Sequence, residues 1–147
     1  MSLKDVLMED LKIAMKEKDA IRKNAIQMVR ASVLQFEKDN KATLDDQGVI
    51  EVISKEVKKR KDVLPDYEKS GRQELIDELK KEIEVLMNYL PAQLTNDEIE
   101  EIVKQAIKDA GASSMKDIGK VMAVVMPLTK GKADGKVINE TVKKYLS

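Results

Sequence analysis

Apolar side chains recur every three or four residues along nearly the whole chain, and no stretch carries the alternation of a half-buried strand. Leu3, Val6, Leu7, Leu11 and Ala14 predict a first helix over about residues 3–17. Asp19 is placed to cap a second, with Ile21, Ala25, Met28, Val29, Ser32 and Phe36 down one side and an end near Asn40. Thr43-Leu44-Asp45-Asp46 resembles a capping box opening a third helix, whose buried side uses Ile50, Ile53, Val57 and Leu64. Pro65 is expected to kink or end it. After the break at Ser70-Gly71, Leu75, Leu79, Ile83, Leu86 and Leu90 line a fourth helix. Four stripes joined by short connections predict an antiparallel helical bundle over residues 1–90.

Pro91 follows Leu90 and biases it away from helix, which sets the expected domain boundary. Thr95-Asn96-Asp97-Glu98 is a regular capping box, and Ile99, Ile102, Val103, Ala106, Ile107 and Ala110 form an apolar face ended by Gly111. Ser114-Met115-Lys116-Asp117 can cap the next helix, with Ile118, Met122, Val125 and Met126 inside and Pro127 closing it. A last helix buries Val137, Ile138, Thr141, Val142 and Tyr145. The expectation is an all-α protein, its bundle followed by a small three-helix C-terminal domain over 91–147. The eight methionines, at helical spacing, read as core filler rather than as a flexible binding groove.

Charge is balanced overall, 27 basic against 27 acidic side chains, so any grip on nucleic acid must be local. The tail is polarised. From Met115 to Ser147 seven lysines (116, 120, 130, 132, 136, 143 and 144) face three acids, while from Pro91 to Ser114 two lysines face five acids. Lys120, Lys130, Lys132 and Lys136 gather around one expected helix–turn–helix corner. There Gly131 and Gly135 would allow a sharp turn and Asp134 would cap the final helix. These lysines are either solvated helix ends or a contact surface for phosphates. With no aromatic residue among them, contact would be to backbone rather than to stacked bases. Gly131 to Lys136 is not a nucleotide loop: three residues, not four, separate the glycines, and Val137 follows the lysine. Lys55 to Asp62, with Lys58, Lys59, Arg60 and Lys61, reads as a solvated helix face or a second contact for a partner.

Histidine and cysteine are both absent, which removes the usual neutral-pH acid/base, the commonest metal ligand, disulfides and thiolate sites. Ser113-Ser114 and the pairs Asp45-Asp46 and Glu100-Glu101 read as caps and polar-face acids. The expectation is therefore no catalytic residue, no metal and no cofactor. Met1 to Asp5 is charged and lacks an apolar signal core, and no run reaches the roughly 20 apolar residues of a membrane span, so a cytoplasmic address and no membrane partner are expected.

Gly119-Lys120-Val121-Met122, then Lys130-Gly131-Lys132-Ala133-Asp134-Gly135-Lys136 with Val137, Asn139 and Val142, resembles the YqeY family. Tyr89-Leu90-Pro91-Ala92-Gln93-Leu94, Arg22-Lys23 and Glu56-Val57-Lys58-Lys59-Arg60 fit the same pattern. That family is similar, from about residue 91 onward, to the C-terminal tail domain of the B subunit of the tRNA-dependent Asp/Glu amidotransferase. The resemblance implies an all-helical accessory protein of tRNA biology, contacting tRNA weakly through its backbone or meeting the amidotransferase machinery. A carbon–nitrogen ligase activity with glutamine as amido donor is implied by that resemblance only, because the ammonia-accepting domain is not in this sequence. The alternative is a protein–protein adaptor without RNA contact, using the acidic helix 96–110 or the front bundle.

Overall fold

The computed structural model describes residues 1–147 and contains seven α-helices and no strand. They are α1 (Leu3–Lys16), α2 (Ala20–Asn40), α3 (Asp46–Ser70), α4 (Gln73–Met87), α5 (Asn96–Ala110), α6 (Ile118–Thr129) and α7 (Gly135–Leu146), with a short 3-10 turn at Met115–Asp117. The chain forms two compact units, Met1–Leu90 and Pro91–Ser147.

In the first unit α1 packs on α2 and α3, and α2, α3 and α4 pack on one another. Their shared core holds Leu7, Leu11, Ala25, Ile26, Val29, Val33, Val49, Ile53, Val57 and Leu86. Each fully enclosed aliphatic chain such as Leu7, Ile53 or Leu86 contributes about 1.5–3 kcal/mol. α2 is turned relative to its expected stripe: Met28 and Phe36 face solvent, while Ile26 and Val33 are inside. Most of the methionines are not core filler either, although Met87 and Met122 pack, partly buried, against the two cores. None of the eight belongs to the buried core, and Met1, Met8, Met15, Met28, Met115 and Met126 are exposed.

Local chemistry sets the helix ends. Ser2 Oγ accepts from the Asp5 N–H, and the Asp5 carboxylate accepts from the Ser2 N–H, a capping box that opens α1. Asp19 caps α2 by accepting from the Arg22 N–H at 3.1 Å. α3 does not start from Thr43. Asp45 is its cap, accepting from Gly48 N–H at 2.9 Å, because Asp46 Oδ1 accepts from Leu3 N–H and Glu37 from Leu44 N–H. The acid that would complete a box on Thr43 is thereby engaged elsewhere. Pro65 does not end α3. It removes one donor, and the helix runs on to Gly71, whose φ of +71° stops it. Leu90 lies beyond the end of α4, so that helix is shorter than its apolar spacing suggested, and Leu75, within it, is exposed.

One charged cluster lies inside this unit. Arg60, placed by sequence on a basic surface, is 9% exposed, and Glu56 is 4% exposed. Arg60 Nη1 donates to Glu56 Oε2 at 2.9 Å, Arg60 Nε donates to Glu82 Oε2 at 3.2 Å, and Ser32 Oγ donates to Glu56 Oε1 at 3.0 Å. Side chains from α2, α3 and α4 thus close one polar knot. Burial opposes the charge on Glu56, but the hydrogen bonds from Arg60 and Ser32 and the nearby Lys59 outweigh it and hold the carboxyl below its usual range. Close to the end of α4, Tyr89 Oη donates to Asp10 Oδ2, and burial and that carboxylate push the phenol up.

In the second unit α5, α6 and α7 pack pairwise around Ile99, Val103, Ala106, Val121, Val125, Ile138, Val142 and Leu146. Thr95 and Glu98 form the expected capping box on α5, and Gly111 ends it at φ +63°. Asp117 provides no side-chain cap to α6; its Oδ2 turns back to accept from Ser113 N–H at 3.1 Å. Nor does Pro127 close α6, which continues to Thr129, where the buried hydroxyl donates to Val125 O at 3.0 Å.

Three outcomes follow for the full chain in urea denaturation. Arg60→Ala strands a buried carboxylate and should cost about 3–5 kcal/mol, while Glu56→Leu/Arg60→Met should cost far less than its two single changes summed. Because the folded-state value of Glu56 is depressed, its contribution is complete above its usual 4.5 and is lost as pH falls below that. Glu56→Gln should therefore flatten the acid limb of the stability curve. Separately, Ser54 Oγ is buried without a hydrogen-bond partner, so Ser54→Ala should raise stability by about 1 kcal/mol.

Candidate nucleic-acid interface

The five residues between α6 and α7, 130–134, form a turn held from within by backbone groups. Leu94 N–H donates to Lys132 O at 2.8 Å, and Lys132 N–H donates to Thr129 O at 2.9 Å. Gln93 Nε2 donates both to Gly131 O at 3.0 Å and to Pro91 O at 2.9 Å. Thr129 is buried, and Ala133 packs against the core of the unit. The turn therefore has a fixed floor, while Lys130, Lys132 and Lys136 are exposed.

The expected turn residues divide in two. Gly131 adopts φ +74°, a conformation costly for a side-chain-bearing residue. Gly135 does not: it is the first residue of α7, without positive φ, and a Cβ there would meet open space. Asp134 is the cap, its Oδ1 accepting from Lys136 N–H at 2.9 Å. That carboxylate occupies the positive end of α7, so attraction for an anion rests on the three ammonium groups rather than on the helix terminus.

Lys120 stands apart. It lies in the first turn of α6, ten residues before Lys130, a rise of about 15 Å along the helix. Its side chain is 73% exposed and 4.0 Å from Asp117 Oδ1. The wider basic face is also partly used internally: Lys144 Nζ lies 3.4 Å from Glu100 Oε1, and Lys104 and Lys144 sit over the Tyr145 ring at 5.0 and 5.3 Å. These contacts join α5 to α7, and no sequence pattern announced them.

The pattern of the YqeY family, described as Yqey-like protein, matches residues 4–146. The chain belongs to the YqeY family. Among curated relatives it is similar to the altered inheritance of mitochondria protein 41 of three fungi. For Pyrenophora tritici-repentis the identity is 26% over 144 residues, covering 95% of this chain and 78% of that protein. For Kluyveromyces lactis it is 33% over 106 residues, covering 70% and 57%. For Candida glabrata it is 35% over 86 residues, covering 57% and 47%. In the last two comparisons this YqeY chain spans about half the length of the relative.

All three relatives are named as mitochondrial proteins, which overturns the cytoplasmic address expected from the sequence. That expectation rests on charged composition and the lack of a long apolar run. They do not separate one aqueous compartment from another. No helix is long and apolar enough to cross a membrane.

The two glycines of the turn should behave oppositely in thermal or urea unfolding. Gly131→Ala should destabilise by about 1 kcal/mol. Gly135→Ala should be neutral or stabilising by a few tenths of a kcal/mol, and Asp134→Ala should lose about 1 kcal/mol as the cap is removed.

Proposed function

We propose that this YqeY protein is a non-catalytic accessory factor that contacts tRNA, or the machinery handling it, through Lys130, Lys132 and Lys136. We read residues 1–90 as an antiparallel bundle and 91–147 as a three-helix tail domain that carries the contact. The observation supporting this most directly is exposed Lys130 and Lys132 on a turn whose backbone is pinned by Leu94 and Gln93, with exposed Lys136 in the first turn of the helix that follows. Ammonium groups on a fixed scaffold neutralise phosphates without reading bases, so recognition is of shape and backbone. The resemblance of this segment to a tRNA-amidotransferase tail adds the substrate class. The relatives' names direct the first search for the RNA to organellar tRNA.

A second reading, a protein–protein adaptor, is favoured by the exposed apolar residues Met126 and Leu128 at the end of α6. Capture of partners that survives nuclease treatment would favour it over the RNA reading.

The test is retention of bulk tRNA by the full chain at low salt. Wild type should bind with a log–log salt slope of about 2–3, near 0.9 for each of three neutralised phosphates. Lys130→Glu/Lys132→Glu/Lys136→Glu should abolish binding, while Lys120→Glu should weaken it less. Equal retention of wild type and the triple variant, or none by either, would refute the proposal, and turnover of glutamine with misacylated tRNA by the purified chain alone would refute its non-catalytic part.

A further inference from the structure

Helices α1 and α2 form an antiparallel hairpin: Lys4, early in α1, pairs with Glu37 late in α2, while Ala14 and Met15 lie beside Ala20 and Lys23. Its outward seam is open. Two hollows, of about 220 and 310 Å³, follow it from the Lys4 end to the Lys18 end. One bank carries Met8 and Met15, seven residues apart and so on one face of α1. The other carries Lys23, Arg30 and Leu34, on one face of α2. The floor is buried Leu7, Ala14 and Val33. Leu34 is 63% exposed, Met15 54% and Met8 37%, a line of apolar surface left in water beside a completed core.

We propose that this seam takes an amphipathic helix of a partner protein, apolar toward the seam and acidic along its flanks. A helix set into a two-helix groove completes the apolar packing, and methionine adapts to varied partners. The sign of the partner follows from the banks. Both acids at the seam are already engaged, Asp5 with Ser2 N–H and Glu37 with Lys4 and Leu44 N–H. Lys18, Lys23 and Arg30 have no acidic partner. The 14 residues of α1 give a seam of about 21 Å, room for a helix of similar length. A second copy of the chain is a poor occupant, since all seven helices already contribute to its two cores.

The test uses the full chain and two synthetic helical peptides that share a leucine stripe, one with glutamate flanks and one with lysine flanks. Fluorescence anisotropy should show binding of the glutamate peptide only, weakened about tenfold or more by Met15→Ser/Leu34→Ser and by Lys23→Glu/Arg30→Glu. These are surface positions, and circular dichroism verifies the fold of each variant. With ¹³C-methyl methionine, the signals of Met8 and Met15 should shift on peptide addition while that of Met126 stays. Binding of both peptides alike, of neither, or without response to these substitutions would overturn the proposal. So would tighter association of the seam with phosphatidylglycerol vesicles or RNA than with the glutamate peptide.

Discussion

Arg60 is the residue on which the first unit turns. A guanidinium with so little solvent left to it must find partners inside, and it finds Glu56 one turn away and Glu82 on the next helix. The apolar contacts around it favour close packing but fix no single register, because Leu, Ile and Val stripes tolerate small rotations and slips. A buried charge does not. Ser32, Glu56, Arg60 and Glu82 satisfy one another only when α2, α3 and α4 stand in one arrangement, and any other leaves a charge unpaired in a dry interior. The net stabilisation from such a knot is small. Its effect is to make the alternatives expensive.

The second unit solves a different problem with different means. It must hold a short turn steady with little core beneath it, and it uses backbone groups rather than charges. The Leu94 N–H and the Gln93 side-chain amide, in the segment leading into α5, donate to the carbonyls of two consecutive residues of the turn between α6 and α7. The carbonyls of Gly131 and Lys132 are consumed by the scaffold, and Lys130, Lys132 and Lys136 are exposed. A contact surface built this way separates its two tasks: the pinning bonds use no side chain of Lys132 or Lys136, so changing either alters charge without loosening the turn, and changing Gly131 loosens the turn without altering charge.

Helix number and order, and the caps at Asp19, Thr95 and Asp134, were legible because each depends on residues adjacent in sequence. The face buried by α2 was not. Ile21, Ala25, Ile26, Met28, Val29, Val33, Leu34 and Phe36 cover so much of its circumference that only the neighbouring helices decide which of them turn inward. Arg60 misled for a related reason: a run of basic residues looks like surface until an acid on another helix claims one of them. Pro127 was overestimated as a terminator, and Pro65 does not end its helix either, because a helix losing one donor near its end still has enough remaining bonds to continue. At the candidate interface the lysines, Gly131 and Asp134 could be named from sequence. The pinning by Leu94 could not, since a bond between main-chain groups has no signature in side-chain identity.

The far end of α3 has its own implication. From Pro65 to Leu75 no residue is buried, although most of them are helical and Gly71 folds the chain back into α4. This hairpin tip projects past the last core contact, so whole helical turns could be added or removed there in matched pairs without repacking anything below. It is the point on this scaffold where chain length is least constrained, and the natural place to graft a tag or a foreign segment.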